Sequence, residues 1–226
     1  MSKRGHARKF RSTSQRKRTH PTARGTSRLR RLRRAELPFE TGALARFLLG
    51  TLLVADGAGG RAVVRIVETE AYVPGDAASH AFRGETARNR SMFLRRGHAY
   101  VYVIYGRSYC LNVSSETPGV GAAVLLRAAE PLAGVELMEA RRACHDGRLL
   151  CSGPGRLARA LGVTRWHDAL DLCARGPLWL AAGRPPEAIG TSVRIGLTRE
   201  AARPLRFFDA ASLVLSGPRR LNEHKP

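Results

Sequence analysis

At 226 residues the chain has room for one domain or two small ones, and its 43% hydrophobic content excludes wholesale disorder. No apolar run approaches the roughly 20 residues of a membrane helix, and the N-terminus lacks the apolar stretch of an export signal, so a protein of the reducing cytoplasm is expected, with no membrane partner. The net charge of +21 is unevenly spread: residues 1–34 hold fourteen of the 39 Lys and Arg and none of the 18 Asp and Glu.

Taken in chain order, residues 1–34 have no hydrophobic periodicity and are expected to be a disordered basic tail, with the folded domain over 35–226. Polyanions are the partners such charge selects, nucleic acid ahead of an anionic membrane surface. From Thr41, which can cap a helix, Leu44, Phe47 and Leu48 recur at helical spacing up to Gly50. Residues 61–72 alternate like a strand, and 73–90 read as an ordered loop. Strands follow at 100–105 and 109–115, joined by a tight turn at Gly106, and another at 119–127. A helix is expected over 132–143, and a second opens at Ser152-Gly153-Pro154 with Leu157 and Leu161 on one face. Strands at 191–197 and 205–208 close the chain. Mixed elements without βαβ regularity indicate α+β on an antiparallel sheet. Cys110, Cys144, Cys151 and Cys173 show no CxxC spacing and read as reduced, buried thiols; with His145 and His167 they match no zinc ligand pattern.

All five tyrosines (Tyr72, Tyr100, Tyr102, Tyr105 and Tyr109) fall within 38 residues. Tyrosine suits half-buried strands, but so many beside a basic body also suit a surface for unstacked bases. If 61–72 is a regular strand, Ile66, Glu68, Glu70 and Tyr72 share one face. A carboxyl against an aromatic wall, with a like charge nearby, has a raised pKa useful to a general base. The alternative is that one or both acids pair with an arginine.

Several runs, in order, closely resemble the alkyladenine (3-methyladenine) DNA glycosylases of the methylpurine glycosylase family. They are Glu68-Thr69-Glu70-Ala71-Tyr72, Ala78-Ser79-His80, Arg88-Asn89-Arg90, Met92-Phe93, Tyr100-Val101-Tyr102-Val103-Ile104-Tyr105-Gly106 and Leu111-Asn112-Val113. The run 125–131 (Leu-Leu-Arg-Ala-Ala-Glu-Pro) and Cys151-Ser152-Gly153-Pro154 continue the match, which spans about 37–208. The resemblance implies a single compact domain on a curved, mostly antiparallel sheet with flanking helices and a protruding β-hairpin. It implies base-excision repair: hydrolysis of the bond between an alkylated or deaminated purine and deoxyribose, leaving an abasic site, with no lyase step. By the same resemblance Glu70 is the water-activating carboxylate, with Glu68 as support, and Arg127 holds Glu70 and the water. Tyr72, His80 and Tyr102 wall the base pocket, and Asn112 disfavours the exocyclic amine of guanine. Tyr105 fills the gap that the flipped nucleotide leaves in duplex DNA. Arg107 departs from the apolar residue many relatives carry there. No metal or other cofactor is implied, a monomer suffices, and the basic tail would meet DNA phosphates. In a bacterium the protein would be cytoplasmic at the nucleoid; in a eukaryote, nuclear or mitochondrial. Two rival readings are a non-catalytic nucleic-acid-binding protein with stacking tyrosines and a hydrolase of free nucleosides.

Overall fold

One long strand organises the molecule. The computed structural model describes residues 29–104, 106 and 108–223, and in it β2 (Gly60–Tyr72) pairs along one edge with β5 (Ala123–Ala133). Its other edge is shared: β1 (Leu52–Gly57) covers the first half and β8 (Arg206–Asp209) covers Glu68–Glu70. Strands β3 (Ala99–Ile104) and β4 (Ser108–Ser114) form a hairpin at one end, β6 (Leu178–Ala181) borders β1 at the other, and β7 (Ile189–Ser192) pairs with β8. All these pairings are antiparallel, so the α+β expectation holds, on one curled sheet. Gly106 makes the hairpin turn with φ +70°, a left-handed conformation that glycine takes without steric cost.

Helices α1 (Thr41–Phe47), α2 (Val135–Arg142), the short α3 (Gly147–Leu150) and α4 (Pro154–Leu161) put Leu44, Leu48, Met138, Leu150, Leu157 and Leu161 into the main core. Three sequence expectations need correction. The cap of α1 is Glu40, whose carboxylate accepts from the Gly42 and Ala43 amides; Thr41 instead donates its hydroxyl to Glu116. The helix expected from 132 begins at Val135, because β5 runs on to Ala133. Gly134 (φ +71°) then breaks the chain so close to β2 that a Cβ there would lie 2.3 Å from the Arg61 carbonyl. The strand expected at 191–197 is Ile189–Ser192, leaving 193–197 as a loop. Strands β1 and β6 had gone unpredicted.

The expected face of 61–72 is also corrected. Register shifts flank Glu68, where β2 and β5 each gain an unmatched residue, Val67 and Arg127. A bulge of this kind switches which face successive side chains take. Ala62, Val64 and Ile66 enter the main core, as does Ala71, and the Thr69 hydroxyl bonds the α1 carbonyl of Ala45. Glu68, Glu70 and Tyr72 therefore face away from Ile66, onto the opposite side of the sheet.

The packed body reaches back to residue 29, ahead of the boundary that composition set at 35. Leu32 donates its amide to Leu180, Ala182 donates to Arg30, and the Arg31 guanidinium lies 4.7 Å from the Trp179 ring. Leu29 packs on a small cluster of Val54, Val63, Trp179 and Ala181. Residues 1–28 of the basic tail lie outside the described residues, as do Tyr105, Arg107 and 224–226.

Candidate active site

The sheet face opposite the helices carries one continuous row across four strands. Tyr100 on β3 pairs with Asn112 on β4, Asn112 with Leu125 on β5, and Leu125 with Glu70 on β2. Cross-strand neighbours project to the same side, so hairpin and central strand together build one wall. Above it opens a small cavity lined by Tyr72, Ala78, His80, Met92, Tyr100, Tyr102, Asn112 and Leu197.

The aromatic wall is ordered. The Tyr100 and Tyr102 rings stack at 5.4 Å, and the His80 ring stands edge-on to Tyr102 at 4.6 Å. His80 Nδ1 shares a 2.7 Å hydrogen bond with the Tyr100 hydroxyl. Burial pushes the Tyr100 phenol up to about 12. Burial also raises Tyr72 and Tyr102, with the Glu70 charge adding to the first and Cys110 to the second, so all three phenols keep their protons. Burial, and then the Arg88 charge, lower His80 and favour its neutral imidazole. Asn112 donates Nδ2 to the Tyr100 carbonyl (3.0 Å), which fixes its amide in the wall.

The loop bearing His80 is held at both ends. Asn89 donates to the carbonyls of His80 and Gly84 and accepts from the Thr86 amide. Asp76 makes a fully buried, bidentate ion pair with Arg194, whose guanidinium sits 4.7 Å from the Tyr72 ring.

Both acids of β2 are fully buried. Glu68 accepts from Arg127 Nε (3.0 Å), Arg206 Nε (2.7 Å), and the hydroxyl and amide of Ser216 (2.8 and 2.6 Å). Glu70 accepts from the Ile195 amide (2.7 Å) and the Tyr72 hydroxyl (3.1 Å), and pairs with Arg127 Nη1 at 3.1 Å. One guanidinium thus spans both carboxylates. Burial works against its charge, but Glu70 and Glu68 outweigh that and hold Arg127 more firmly protonated than usual. Pairing with arginine, left open by the sequence, holds for both acids. Every partner of Glu70 is a donor, as suits an ionised, acceptor-only carboxyl group.

The family model for methylpurine-DNA glycosylase matches residues 36–212. The chain belongs to the methylpurine-DNA glycosylase family. Among relatives of this methylpurine-DNA glycosylase family member, a Mesorhizobium japonicum protein is 59% identical over 84% of this chain and 92% of its own length, and one from Paraburkholderia phytofirmans is 52% identical over 84% and 90%. An archaeal relative from Methanoculleus marisnigri is 47% identical over 78% and 94%. Each carries the name "Putative 3-methyladenine DNA glycosylase".

In this methylpurine-DNA glycosylase family member, Tyr72, His80, Tyr102 and Asn112 all line the cavity, while Glu70 and Arg127 do not: Glu70 bonds the Tyr72 hydroxyl and pairs with Arg127. Tyr105 falls outside the described residues. Tyr109 turns to the main core, so the tyrosine cluster divides between two faces. Tyr100 and Met92 are wall residues that sequence reasoning did not assign; the two-residue spacing of Tyr100 and Tyr102 on one strand was the available signal. Arg206, Ser216 and the Ile195 amide reach the acids from 125 to 148 residues away and gave none. Cys110 and Cys151 are buried, whereas Cys144 and Cys173 are only half-buried. Among the described residues, no three His, Cys, Asp or Glu side chains converge as a metal site would require. Ser108, at the hairpin's tip end, borders an open groove lined by Arg142, Arg156 and Arg159.

Proposed function

We propose that this chain is a base-excision repair glycosylase that takes an alkylated or deaminated purine out of duplex DNA into the tyrosine-lined cavity. It then hydrolyses the glycosidic bond, leaving an abasic site without cutting the strand. The observation that carries this reading is a buried carboxylate, Glu70, joined to the cavity wall through the hydroxyl of Tyr72. Tyr72 both borders the cavity and occupies Glu70 Oε2, so exchanging its hydroxyl for a water gives the carboxylate a proton to accept. That water's oxygen bonds to the sugar carbon as the bond to the base breaks, its proton passes to Glu70, and the bond's electrons leave with the purine. The negative charge of Glu70 also favours the cationic sugar in the transition state.

Arg127 is a positioning residue here. With Nε on Glu68 and Nη1 on Glu70, it fixes where the catalytic oxygen lies. Tyr72, Tyr102 and His80 are the stacking faces, and Asn112 sets the edge that a guanine amine would crowd. An N3- or N7-alkylated purine is cationic, and aromatic faces attract it by about 0.5–2 kcal/mol. Flipping costs a few kcal/mol, which Tyr105 offsets by filling the vacated stack. The arginine groove beside Ser108 and the basic tail meet phosphates.

Incubating the full chain with duplex carrying one hypoxanthine or ethenoadenine, then cleaving abasic sites with alkali, tests this. A single product band at the lesion is expected, absent without alkali. No release of any damaged purine would overturn the reading.

A further inference from the structure

Trp166 is 92% exposed, while the chain's other tryptophan, Trp179, is 4% exposed. An exposed indole is uncommon for a side chain that normally brings 150–250 Å² to a core or an interface. Its backbone is nonetheless fixed. Arg165 donates to the Val101 carbonyl (2.6 Å), and Asp168 Oδ1 accepts from the Val101 amide and the Ser91 hydroxyl (both 2.8 Å). The Thr164 carbonyl accepts from the His167 amide, and Arg165 also faces Asp168 at 3.5 Å. The turn 165–168 is thus clamped along the free edge of β3, presenting a bare ring on a rigid mount.

Its location is specific. Val101 lies between Tyr100 and Tyr102, two walls of the cavity, and Ser91 adjoins Met92, a third. The charges of Arg165 and Arg88 are both felt at the Tyr100 hydroxyl. Further along the edge Val103 is 39% exposed, and Ile104 is the last residue described before the turn. An exposed aromatic ring next in the chain to Arg165, on a turn clamped to the strand that walls the cavity, complements a polyanion with flat apolar faces.

Building on the glycosylase reading above, we propose that Trp166 is a further DNA-contacting aromatic residue. It packs against a strand of the duplex that flanks the extruded purine, with Arg165 beside it on a phosphate. It would hold the flanking helix while the hairpin and cavity act on the target.

With only two tryptophans, one of them buried, the full-length protein carries its own probe. Undamaged duplex should quench the emission of Trp166 and shield it from acrylamide. Trp166→Ala should fold normally, lose both responses and bind duplex about tenfold more weakly, and Trp166→Phe should recover most of the affinity. The proposal is overturned if labelled duplex binds to saturation while Trp166 emission and acrylamide access stay unchanged. It also fails if the ring proves to mediate a dimer that Trp166→Ala dissolves in sedimentation, or if no duplex binds. Should duplex shield Trp166 while no damaged purine is released, the DNA contact stands and the glycosylase reading falls.

Discussion

Glu68 and Glu70 lie two residues apart on one strand, share one arginine and are equally buried, yet their surroundings differ. Glu68 is enclosed by four donors from Arg127, Arg206 and Ser216, and every one belongs to the packed interior. Glu70 has three, and one of them, the Tyr72 hydroxyl, belongs to the cavity wall. On the glycosylase reading proposed above, burial and charge pairing are therefore not what would separate a supporting acid from a reactive one. The difference is whether a bonding partner can be exchanged for something entering from outside.

That contrast can be broken most sharply at Glu70. Glu70→Gln should lower single-turnover base release by about 10²–10⁴-fold while duplex affinity, followed by anisotropy, stays within a few-fold. Release at the native rate would remove Glu70 as the base. Glu68→Gln should do the reverse, because it leaves two buried guanidinium groups short of a counter-charge. A loss of about 3–5 kcal/mol in urea unfolding is expected, with release per folded molecule largely kept; equal stability of the two variants would erase the distinction.

Further from the acids the effects shrink. Deleting residues 1–28 should flatten the dependence of log Kd on log salt and leave the single-turnover rate within about twofold, a ratio that a tail acting on the chemistry would not preserve. The smallest effect is at the rim. His80 lies below its ordinary 6.5 through burial and Arg88, so the unfolded chain takes up this proton first as pH falls. Its contribution to stability is full above pH 6.5 and is lost as pH falls through the lowered value. Urea midpoints across that window should fall less steeply for His80→Gln than for the native chain.

Much of this site was legible in the sequence because its parts are local. The residues 68–72, His80, the tyrosines of β3 and Asn112 fall in short runs, and the two-residue period of strands put Tyr100 and Tyr102 on one side. What the sequence concealed is non-local. Nothing in the alternation of 61–72 announces the bulge at Val67, which turns Ile66 away from the acids and is visible only where β2 meets β5. Arg206 reads as one more basic residue among many, yet it is fully buried, bonding Glu68 and Asn222 side chains and the Leu221 carbonyl. Composition likewise placed 29–34 with the basic tail, because charge outweighs two leucines until Leu180 and Trp179 are there to receive them.

The reach of Arg206 to residues 216–222 bears on how the protein is made. Translation delivers both glutamates when a third of the chain exists, but Arg206 and Ser216, which with Arg127 enclose Glu68, come much later. Until those residues leave the ribosome the shell around Glu68 is incomplete, and a chain ending just short of Ser216 would keep both glutamates but lack two of the four donors that meet Glu68.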